Sequence, residues 1–517
     1  MTISSTILRD KILGCWNGKN VGGVLGAPYE ECERTVHDVH FYAQDINGDP
    51  PGNDDLDLQL VCLNAVEKYG RQVNAQVLAD YWISFIVPNW SEYGISKRNL
   101  RAGLQPPLSG HVSNPYKDSN GAWIRTELWA CLAPGNPEVS VRYAYEDAIV
   151  DHACEGVYAT VFCAAVESAA FAVLDIRELI EIGLSYIPED SQTAQAIRLV
   201  RSCKDSGLDW KQARVELFKK FPGTFGVSYI KQKDLCRDLP DGIPGVDAPN
   251  SMGIITIGLL YGDSDFEKSL CITVNCGEDT DCTAATVGAI FGIIHGNAAL
   301  PEKWLKPLDG VINTCCIDLT STISIPSNVY ELTDRVIKAI PMFVDSRNFE
   351  FENSGISVNS AENLYCRDVY EYVPHITGHK KDAMLPIKTL VELSPYCVRY
   401  EIGSVGVILD YCGEPFVTQG ESRTIKLTIW DTNLHTVTGQ WVNIKLYTDD
   451  GILLPNGGYI SAPLMSTYRT KTAVEIPIVF ESITAPTINC LFDITIPGRS
   501  AAGTVKAVFR PGQYKII

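Results

Sequence analysis

The sequence lacks the long apolar segments that a membrane span or a secretory leader requires. Charges at residues 9–11 interrupt the opening apolar residues, whereas a signal peptide needs an unbroken apolar core. The least polar stretch, residues 284–300, is broken by His295 and Asn297 and is shorter than the roughly 20 apolar residues that cross a bilayer. We therefore expect neither secretion nor a membrane partner.

Positive charge is also scarce. The chain of 517 residues has 43 Lys and Arg against 62 Asp and Glu, so its formal net charge is −19. A surface of that sign repels the phosphates of nucleic acids and anionic lipids. Nucleic acid is therefore not an expected partner, and the sequence leaves the oligomeric state open.

Disulfide patterns are missing as well. None of the 17 cysteines belongs to a Cys-x-x-Cys pair, and several, such as Cys62 and Cys163, lie in apolar patterns with helical spacing. A chain of this length has enough core to fold without disulfides. The cysteines are therefore predicted to be reduced and packed in the core of a cytoplasmic protein.

Two different periods of apolar residues divide the chain. Up to about residue 342 they recur at spacings of three and four, as in residues 54–69, which predicts helices. Beyond a polar stretch the spacing becomes two, as in residues 425–429 and 474–480, which predicts short strands. The expected fold class is a large all-α domain followed by a small antiparallel β-sandwich. The predicted segments are 1–344 for the helical domain, 345–384 for a linker and 385–517 for the accessory sandwich.

Glycines form two stripes at helical spacing. Each glycine inside a helix costs about 1 kcal/mol relative to alanine, and the close approach of a second helix is the expected compensation. The stripes are therefore predicted to pack tightly and to draw neighbouring acidic segments together. They consist of Gly14, Gly18, Gly22 and Gly26 in the first case and of Gly288, Gly292 and Gly296 in the second.

Two acid-rich strings lie more than two hundred residues apart, and each begins a predicted helix. They are Asn53-Asp54-Asp55-Leu56-Asp57 and Gly277-Glu278-Asp279-Thr280-Asp281-Cys282. Taken singly, either string is an ordinary helix start, with a capping side chain and acids that the macrodipole favours. Two such strings, together with the glycine stripes, predict that the carboxylates converge on cations.

The predicted cations are two Mg²⁺ ions, with Mn²⁺ as the alternative. Carboxylate and carbonyl oxygens without neighbouring His or thiolate pairs select hard cations over Zn²⁺. Adjacent residues such as Asp54 and Asp55 point about 100° apart on a helix, so each is able to serve a different ion. Two ions about 3.5 to 4 Å apart would activate a water and orient a hydroxylated substrate.

Several segments resemble motifs of the ADP-ribosylglycohydrolases, the helical dinuclear-magnesium enzymes that remove ADP-ribose from proteins or small molecules. Residues 14–30 are similar to the family's opening glycine helix, which ends in Gly-Ala-x-x-Glu. Residues 53–56 stand where the family has Thr-Asp-Asp-Thr, and residues 277–282 where it has Gly-Gly-Asp-Thr-Asp-Thr. Residues 119–125 resemble its loop around the diphosphate or ribose, and residues 147–152 its entry to a central helix.

The resemblance implies a role for each matching residue. The implied function is metal-dependent hydrolysis of the glycosidic bond of an ADP-ribosyl or related ribosyl or glycosyl substrate. Glu30 would be the general base or water-orienting group. The implied catalytic residues are Glu30, Asp55 and Asp279. The implied metal ligands are Asn53, Asp54, Asp55, Asp279, Asp281 and Cys282. The implied substrate-binding residues are Ser119, Asn120, Gly121, Ala122, Arg125 and His152.

The chain departs from the family pattern at four positions. Asn53 and Cys282 replace threonines, Gly23 replaces an acid and Leu56 replaces a further threonine. An amide oxygen can substitute for a hydroxyl as a Mg²⁺ ligand, whereas a thiol is a poor one. Three alternatives stay open: a glycoside or nucleoside-type hydrolase for a sugar other than ADP-ribose, a metal-free glycosidase that uses two of the acids, and a catalytically weakened protein that binds its ligand without turnover.

Overall fold

The computed structural model describes residues 1–30, 36–223, 245–318, 320, 322–367, 386–403, 405–431, 440–464, 471–500 and 502–512. The chain forms two compact units. One consists of residues 1–94 and 115–366, and the other of residues 95–114 and 367–517. Much of the predicted linker, from residue 368 to 384, lies outside the described residues, so the predicted boundaries stay predictions.

Helices dominate the first unit, as expected, and the predicted fold class is confirmed. The described helices are α1 (Ser5–Gly26), α2 (Asp54–Tyr69), α3 (Ala75–Phe85), α4 (Ser91–Arg101), α5 (Leu108–His111), α6 (Glu127–Leu132), α7 (Pro137–Ala148), α8 (Cys154–Ala170), α9 (Ile176–Leu184), α10 (Gln192–Asp205), α11 (Trp210–Lys220), α12 (Ala248–Tyr261), α13 (Phe266–Asn275), α14 (Thr280–His295), α15 (Glu302–Leu305), α16 (Val329–Ala339) and α17 (Ile387–Val391). Among the described residues, none of the helices has the length and hydropathy that crossing a bilayer requires.

Helices α1 and α14 pack antiparallel with their backbones in contact, as the glycine stripes predict. A Cβ atom on Gly18 would lie closer than 3.0 Å to the Gly288 carbonyl oxygen, and one on Gly14 would meet the Gly292 carbonyl in the same way. Only glycine leaves room for such an approach. The contact ends at Gly26, beside the first residues of α14.

The two helices that carry the acidic strings begin differently. Asn53 caps α2, because its side-chain oxygen accepts from Asp55 N at 2.8 Å. Asp279 stands at the same place before α14, yet its side chain makes no capping hydrogen bond. Positive φ angles at Gly277 and Glu278, of 79° and 65°, turn the chain into α14. Helix α14 starts one turn before the residue 283 that apolar spacing suggests, since its first turn is polar.

Thirteen strands are found among the described residues. They are β1 (Thr2–Ile3), β2 (Phe349–Glu352), β3 (Gly355–Asn359), β4 (Cys397–Ile402), β5 (Val405–Asp410), β6 (Phe416–Val417), β7 (Ser422–Asp431), β8 (Gln440–Thr448), β9 (Ile452–Leu453), β10 (Tyr459–Leu464), β11 (Lys471–Phe480), β12 (Ile488–Thr495) and β13 (Ala502–Pro511). Strands β1, β3 and β2 form a small sheet in the first unit. The segment predicted as a linker therefore begins with ordered strands.

The remaining strands build the sandwich of the second unit. One sheet has the order β10-β8-β12-β13-β6 and the other β4-β5-β7-β11-β9. All pairs are antiparallel except β13 with β6. Alternate residues such as Ile425 in β7 and Val442 in β8 are fully buried in one core, as the period of two predicts.

Candidate metal centre

Three chain segments of the first unit meet at the acidic strings. The glycine stripe carries the end of α1 to the start of α14, where Thr280 Oγ1 donates to the Gly26 carbonyl at 2.9 Å. Just beyond α1, a short 3₁₀ turn leads to Glu30. The start of α2 supplies the remaining carboxylates. The predicted convergence of the two strings is therefore found in the fold.

The carboxylates form two overlapping groups. In one, Asp55, Asp281 and Cys282 place one ligand atom each within 4.8 Å of the others. In the other, Glu30, Asp279 and Asp281 do the same. Asp281 belongs to both groups, so the geometry matches a pair of adjacent sites with a shared carboxylate.

Three buried carboxylate oxygens of these groups accept no hydrogen bond from the described part of the chain, which indicates whether the groups suit a cation. Asp55 Oδ2, Asp279 Oδ1 and Asp281 Oδ1 are buried and accept no hydrogen bond from any described residue. A buried carboxylate oxygen left in this state is costly, and a coordinated cation removes that cost. The donors are hard oxygens, which suit Mg²⁺ or Mn²⁺. The residues present therefore fit the predicted ions.

Burial and mutual repulsion raise the pKa values of the clustered acids. Burial is the largest cause for Asp279, whose pKa lies well above its usual range, and the neighbouring Asp281 charge adds to it. Burial, with the charge of Asp54, raises the pKa of Asp281 to about 6. The cluster therefore holds protons tightly, and a cation that binds there displaces them.

A buried lysine that the sequence analysis missed accompanies the cluster. Lys19 is 1% exposed, and its Nζ donates to Glu127 Oε1 at 2.8 Å and to the Ile124 carbonyl at 2.7 Å. The same Nζ lies 3.6 Å from Asp55 Oδ2. Gln59 links the two acids by donating to Glu127 Oε2 and to the Asp55 carbonyl. The ammonium therefore offsets part of the negative charge beside one predicted ligand.

Asn53 and Gly23 depart from the family pattern together. The space above Gly23 is filled by the Asn53 amide, since a Cβ on Gly23 would overlap Asn53 Nδ2. The amide oxygen of Asn53 is the acceptor that caps α2. The predicted metal ligand thus acts as a helix cap in this structure, and Gly23 makes room for it.

Cys282 lies among the carboxylates as a neutral thiol. Its Sγ donates to Asp55 Oδ1 at 3.3 Å. Burial is the main cause that raises the pKa of this thiol well above its usual range, and the aspartates around it act in the same direction. Asn120, predicted to bind substrate, donates from Nδ2 to Asp279 Oδ2 at 2.7 Å and to Cys282 Sγ at 3.3 Å. Asn120 is therefore the residue of the predicted substrate loop that touches the cluster.

The other predicted substrate residues are buried around that loop. Arg125 uses all five of its N–H donors on the Asp147 and Asp151 carboxylates and on the Asp147 and Gly121 carbonyls. All five donors of Arg125 are thus engaged within the protein, and its predicted role in the loop around the diphosphate or ribose stays a prediction. We interpret Arg125 as the residue that holds the loop in place.

His152 also has both of its ring nitrogens close to other protein side chains. It is fully buried, and its Nε2 lies 3.0 Å from Ser119 Oγ, while its Nδ1 lies 2.9 Å from Asp151 Oδ1. Ala122 is also buried. These contacts are typical of a structural histidine, which contacts Ser119 at the start of the loop.

Tyr93 and Asp54 form a further contact that the sequence did not reveal. The Tyr93 hydroxyl donates to Asp54 Oδ2 at 2.8 Å. This leaves the other Asp54 oxygen for a cation and fixes the direction of the side chain. Tyr93 lies 39 positions after Asp54, and no helical or strand period predicts a contact at that separation.

Comparisons with known proteins identify the family of the chain. A protein from Archaeoglobus fulgidus described as uncharacterized is 22% identical over 346 residues, which are 64% of this chain and 99% of that protein. A solved structure described as an ADP-ribosylglycohydrolase-related protein complex is 20% identical, with a TM-score of 0.41, over 65% of this chain and 98% of that one. The family model described as ADP-ribosylglycohydrolase matches residues 4–339. The chain belongs to the ADP-ribosylglycohydrolase family.

Proposed function

We propose that this protein is a divalent-cation-dependent hydrolase that cleaves the glycosidic bond of an ADP-ribosyl or related ribosyl substrate. Members of the family are typically hydrolases that bind two metal ions, and the family implies an ADP-ribosyl substrate in general terms. The observation that carries the proposal is the set of buried oxygens on Asp55, Asp279 and Asp281 that accept no hydrogen bond.

The proposed ligands are Asp54, Asp55, Asp279 and Asp281. When bound, the cations supply Lewis acidity and orient the cis hydroxyls of a ribose. The Lys19 charge offsets part of the burial that raises the pKa of Asp55, and the Tyr93 hydroxyl fixes the direction of the Asp54 side chain. These contacts preorganise the carboxylates before any ligand arrives.

Glu30 is the proposed general base. It is an exposed carboxylate whose oxygen lies within 4.8 Å of ligand atoms of Asp279 and Asp281. An exposed carboxylate next to buried ones is able to take a proton from a water and release it to solvent. Asn120, already in contact with Asp279, is placed to position the sugar.

Cys282 supports a second candidate, a protein of this fold that binds its ligand with weak or no turnover. The neutral thiol takes a position where the family has a hydroxyl ligand and donates to Asp55 instead. This hydrogen bond occupies one oxygen of a predicted ligand. A sugar other than ADP-ribose is the third reading that the departures leave open.

A hydrolysis panel distinguishes these functions. The purified full chain is incubated with ADP-ribosylated peptides, free ADP-ribosyl conjugates and simple ribosides, with EDTA and with Mg²⁺ or Mn²⁺ restored. We expect release of ADP-ribose that EDTA stops and either cation restores. Turnover that survives EDTA would point to the metal-free glycosidase, and cation-dependent binding without release to the weakened protein.

Stability should depend on pH in a way that cations reverse. The pKa of Asp281 is about 6 in the folded protein, against about 3.9 in an unfolded chain. Without cations, its contribution to stability is full below the unfolded value and is lost as pH rises through about 6. A bound cation replaces the proton.

We therefore expect the stabilisation by Mn²⁺ to grow with pH. A cation present at about a hundred times its Kd adds about 2.7 kcal/mol to the free energy of unfolding. At one pH unit below the pKa of a ligand, the proton that must leave weakens cation binding by about 1.4 kcal/mol. Thermal unfolding with and without Mn²⁺, followed from acid to neutral pH, measures this. Asp281→Asn removes the carboxylate that both groups share, so the shift itself should be lost at every pH. An equal shift in wild-type protein at every pH contradicts the assignment.

A further inference from the structure

A second group of potential ligands joins Asp57, on the first turn of α2, to Cys315 and Cys316, which lie between α15 and α16. Asp57, Cys315 and Cys316 place one ligand atom each within 4.8 Å of one another. They share no residue with the two groups at Asp281. Asp57 is fully buried, Cys316 is buried, and Cys315 is exposed. The group therefore has an inner carboxylate and an opening to solvent at one sulfur.

The Asp57 carboxylate is fixed by one oxygen and unsatisfied at the other. Asp57 Oδ2 accepts from the backbone N–H groups of Cys315 and Cys316, both at 2.7 Å. Asp57 Oδ1 is buried and accepts no hydrogen bond from any described residue. Buried oxygens in native proteins almost always have a partner, and an ion is one explanation when they lack one. The orphan atom belongs to the same small group as two sulfurs.

The spacing of the sulfurs matches a shared ion. The two Sγ atoms are 3.6 Å apart, far longer than the S–S bond of about 2.05 Å, and both cysteines are free thiols. Two sulfurs at about 2.3 Å from a tetrahedral Zn²⁺ lie about 3.8 Å apart. The observed separation needs almost no adjustment to hold such an ion.

We propose that Asp57, Cys315 and Cys316 bind one thiophilic divalent cation of the Zn²⁺ and Cd²⁺ class. The two thiols release their protons to solvent and the ion takes two thiolates and one carboxylate oxygen, with a fourth position open beside Cys315. The site differs in kind from the acidic cluster, where several carboxylates surround the single thiol of Cys282, because thiolates select soft or borderline ions and carboxylates hard ones. The chain thus has separate places for hard and soft ions around one helix start.

Cd²⁺ titration of the full chain tests the proposal. The thiolate-to-Cd²⁺ ultraviolet charge-transfer absorption is recorded in a phosphine reductant, which keeps the thiols reduced without binding as a thiol would. We expect one equivalent of Cd²⁺ to give a strong band that is lost in Cys315→Ser and in Cys316→Ser. Asp57→Asn should keep a weaker band and raise the Kd at least about tenfold.

Three further variants separate this site from other sulfurs. Cys154→Ser removes another exposed cysteine of the same unit and should titrate like wild type. Cys282→Ser and Asp279→Asn should also keep the band, because both residues belong to the acidic cluster and not to this group. Circular dichroism confirms that each variant is folded. A band that persists in folded Cys315→Ser and Cys316→Ser, or that disappears in either variant of the acidic cluster, overturns the proposal.

Discussion

Replacing Asp279 with asparagine is expected to abolish cation binding and to lower hydrolysis at least about a hundredfold. Asp279 is fully buried and belongs to the group that contains Glu30 and Asp281. The substitution keeps the size of the side chain but removes one negative charge. It also directs an amide N–H into a cluster that needs acceptors for a cation. Calorimetric titration with Mn²⁺ and kcat/KM on the best substrate of the hydrolysis panel measure the two effects.

The stability of the cation-free variant distinguishes this effect from misfolding. Burial and repulsion from Asp281 raise the pKa of the Asp279 carboxyl, because both make its charged form costly. Asparagine carries no charge and avoids this cost, so the cation-free variant should melt at a higher temperature than the wild type. Asp263→Asn, at an exposed carboxylate that pairs with Lys268, should leave cation binding and turnover unchanged. An Asp279→Asn protein with wild-type cation affinity and turnover would remove Asp279 from the site.

Two neighbouring glycines of α1 should respond to the same added methyl group with very different losses of stability. In Gly22→Ala the new Cβ overlaps the backbone of Ala284 in α14, which is unable to move without parting the helices. We expect a loss of about 3 kcal/mol or more in the free energy of unfolding. The two helices would separate beside Asp281, so cation affinity should fall as well.

Gly23→Ala is the matched control. Its Cβ meets only the end of the Asn53 side chain, which is able to turn away. The lost cap costs about 1 kcal/mol, and the gain of alanine over glycine in a helix offsets about the same amount. Stability should therefore change little. Urea unfolding of both variants measures the contrast, and equal losses for the two would contradict the backbone contact between α1 and α14.

Much of the helical framework follows from sequence patterns because those patterns are local. The bounds predicted for α2 agree with the structure at both ends, since a capping asparagine and a sustained apolar period define them. The start of α14 was placed too late because Asp279 and Asp281 interrupt the apolar pattern. The proposed metal ligands break the local rule that helps to locate helices.

The contacts around the cluster depend on pairings across the fold and have no local signature. Lys19 lies in a helix whose other face is a glycine stripe, and nothing in its surroundings in the sequence shows that Glu127 is its partner. The same applies to Asn120 and Cys282. One signal was present: a lysine in the middle of an otherwise buried helix needs a carboxylate nearby.

The spacing of apolar residues also does not predict how the chain divides into its two units. Residues 95–114 group with the β-rich unit, and Leu104, Leu108 and Val112 belong to the core of the sandwich. Their place in a core formed by strands three hundred residues later depends on long-range packing.

The pairing of Gly26 with Thr280, residues separated by 254 positions, determines when the centre is assembled during translation. A nascent chain that ends before residue 279 has Glu30 and the carboxylates of α2 but neither Asp279 nor Asp281. Such a fragment has only part of the proposed set of ligands, which is too few to enclose a cation. Under the proposed function, loading with metal is a late event in biosynthesis, which follows the docking of the first long helix against one made some 250 residues afterwards.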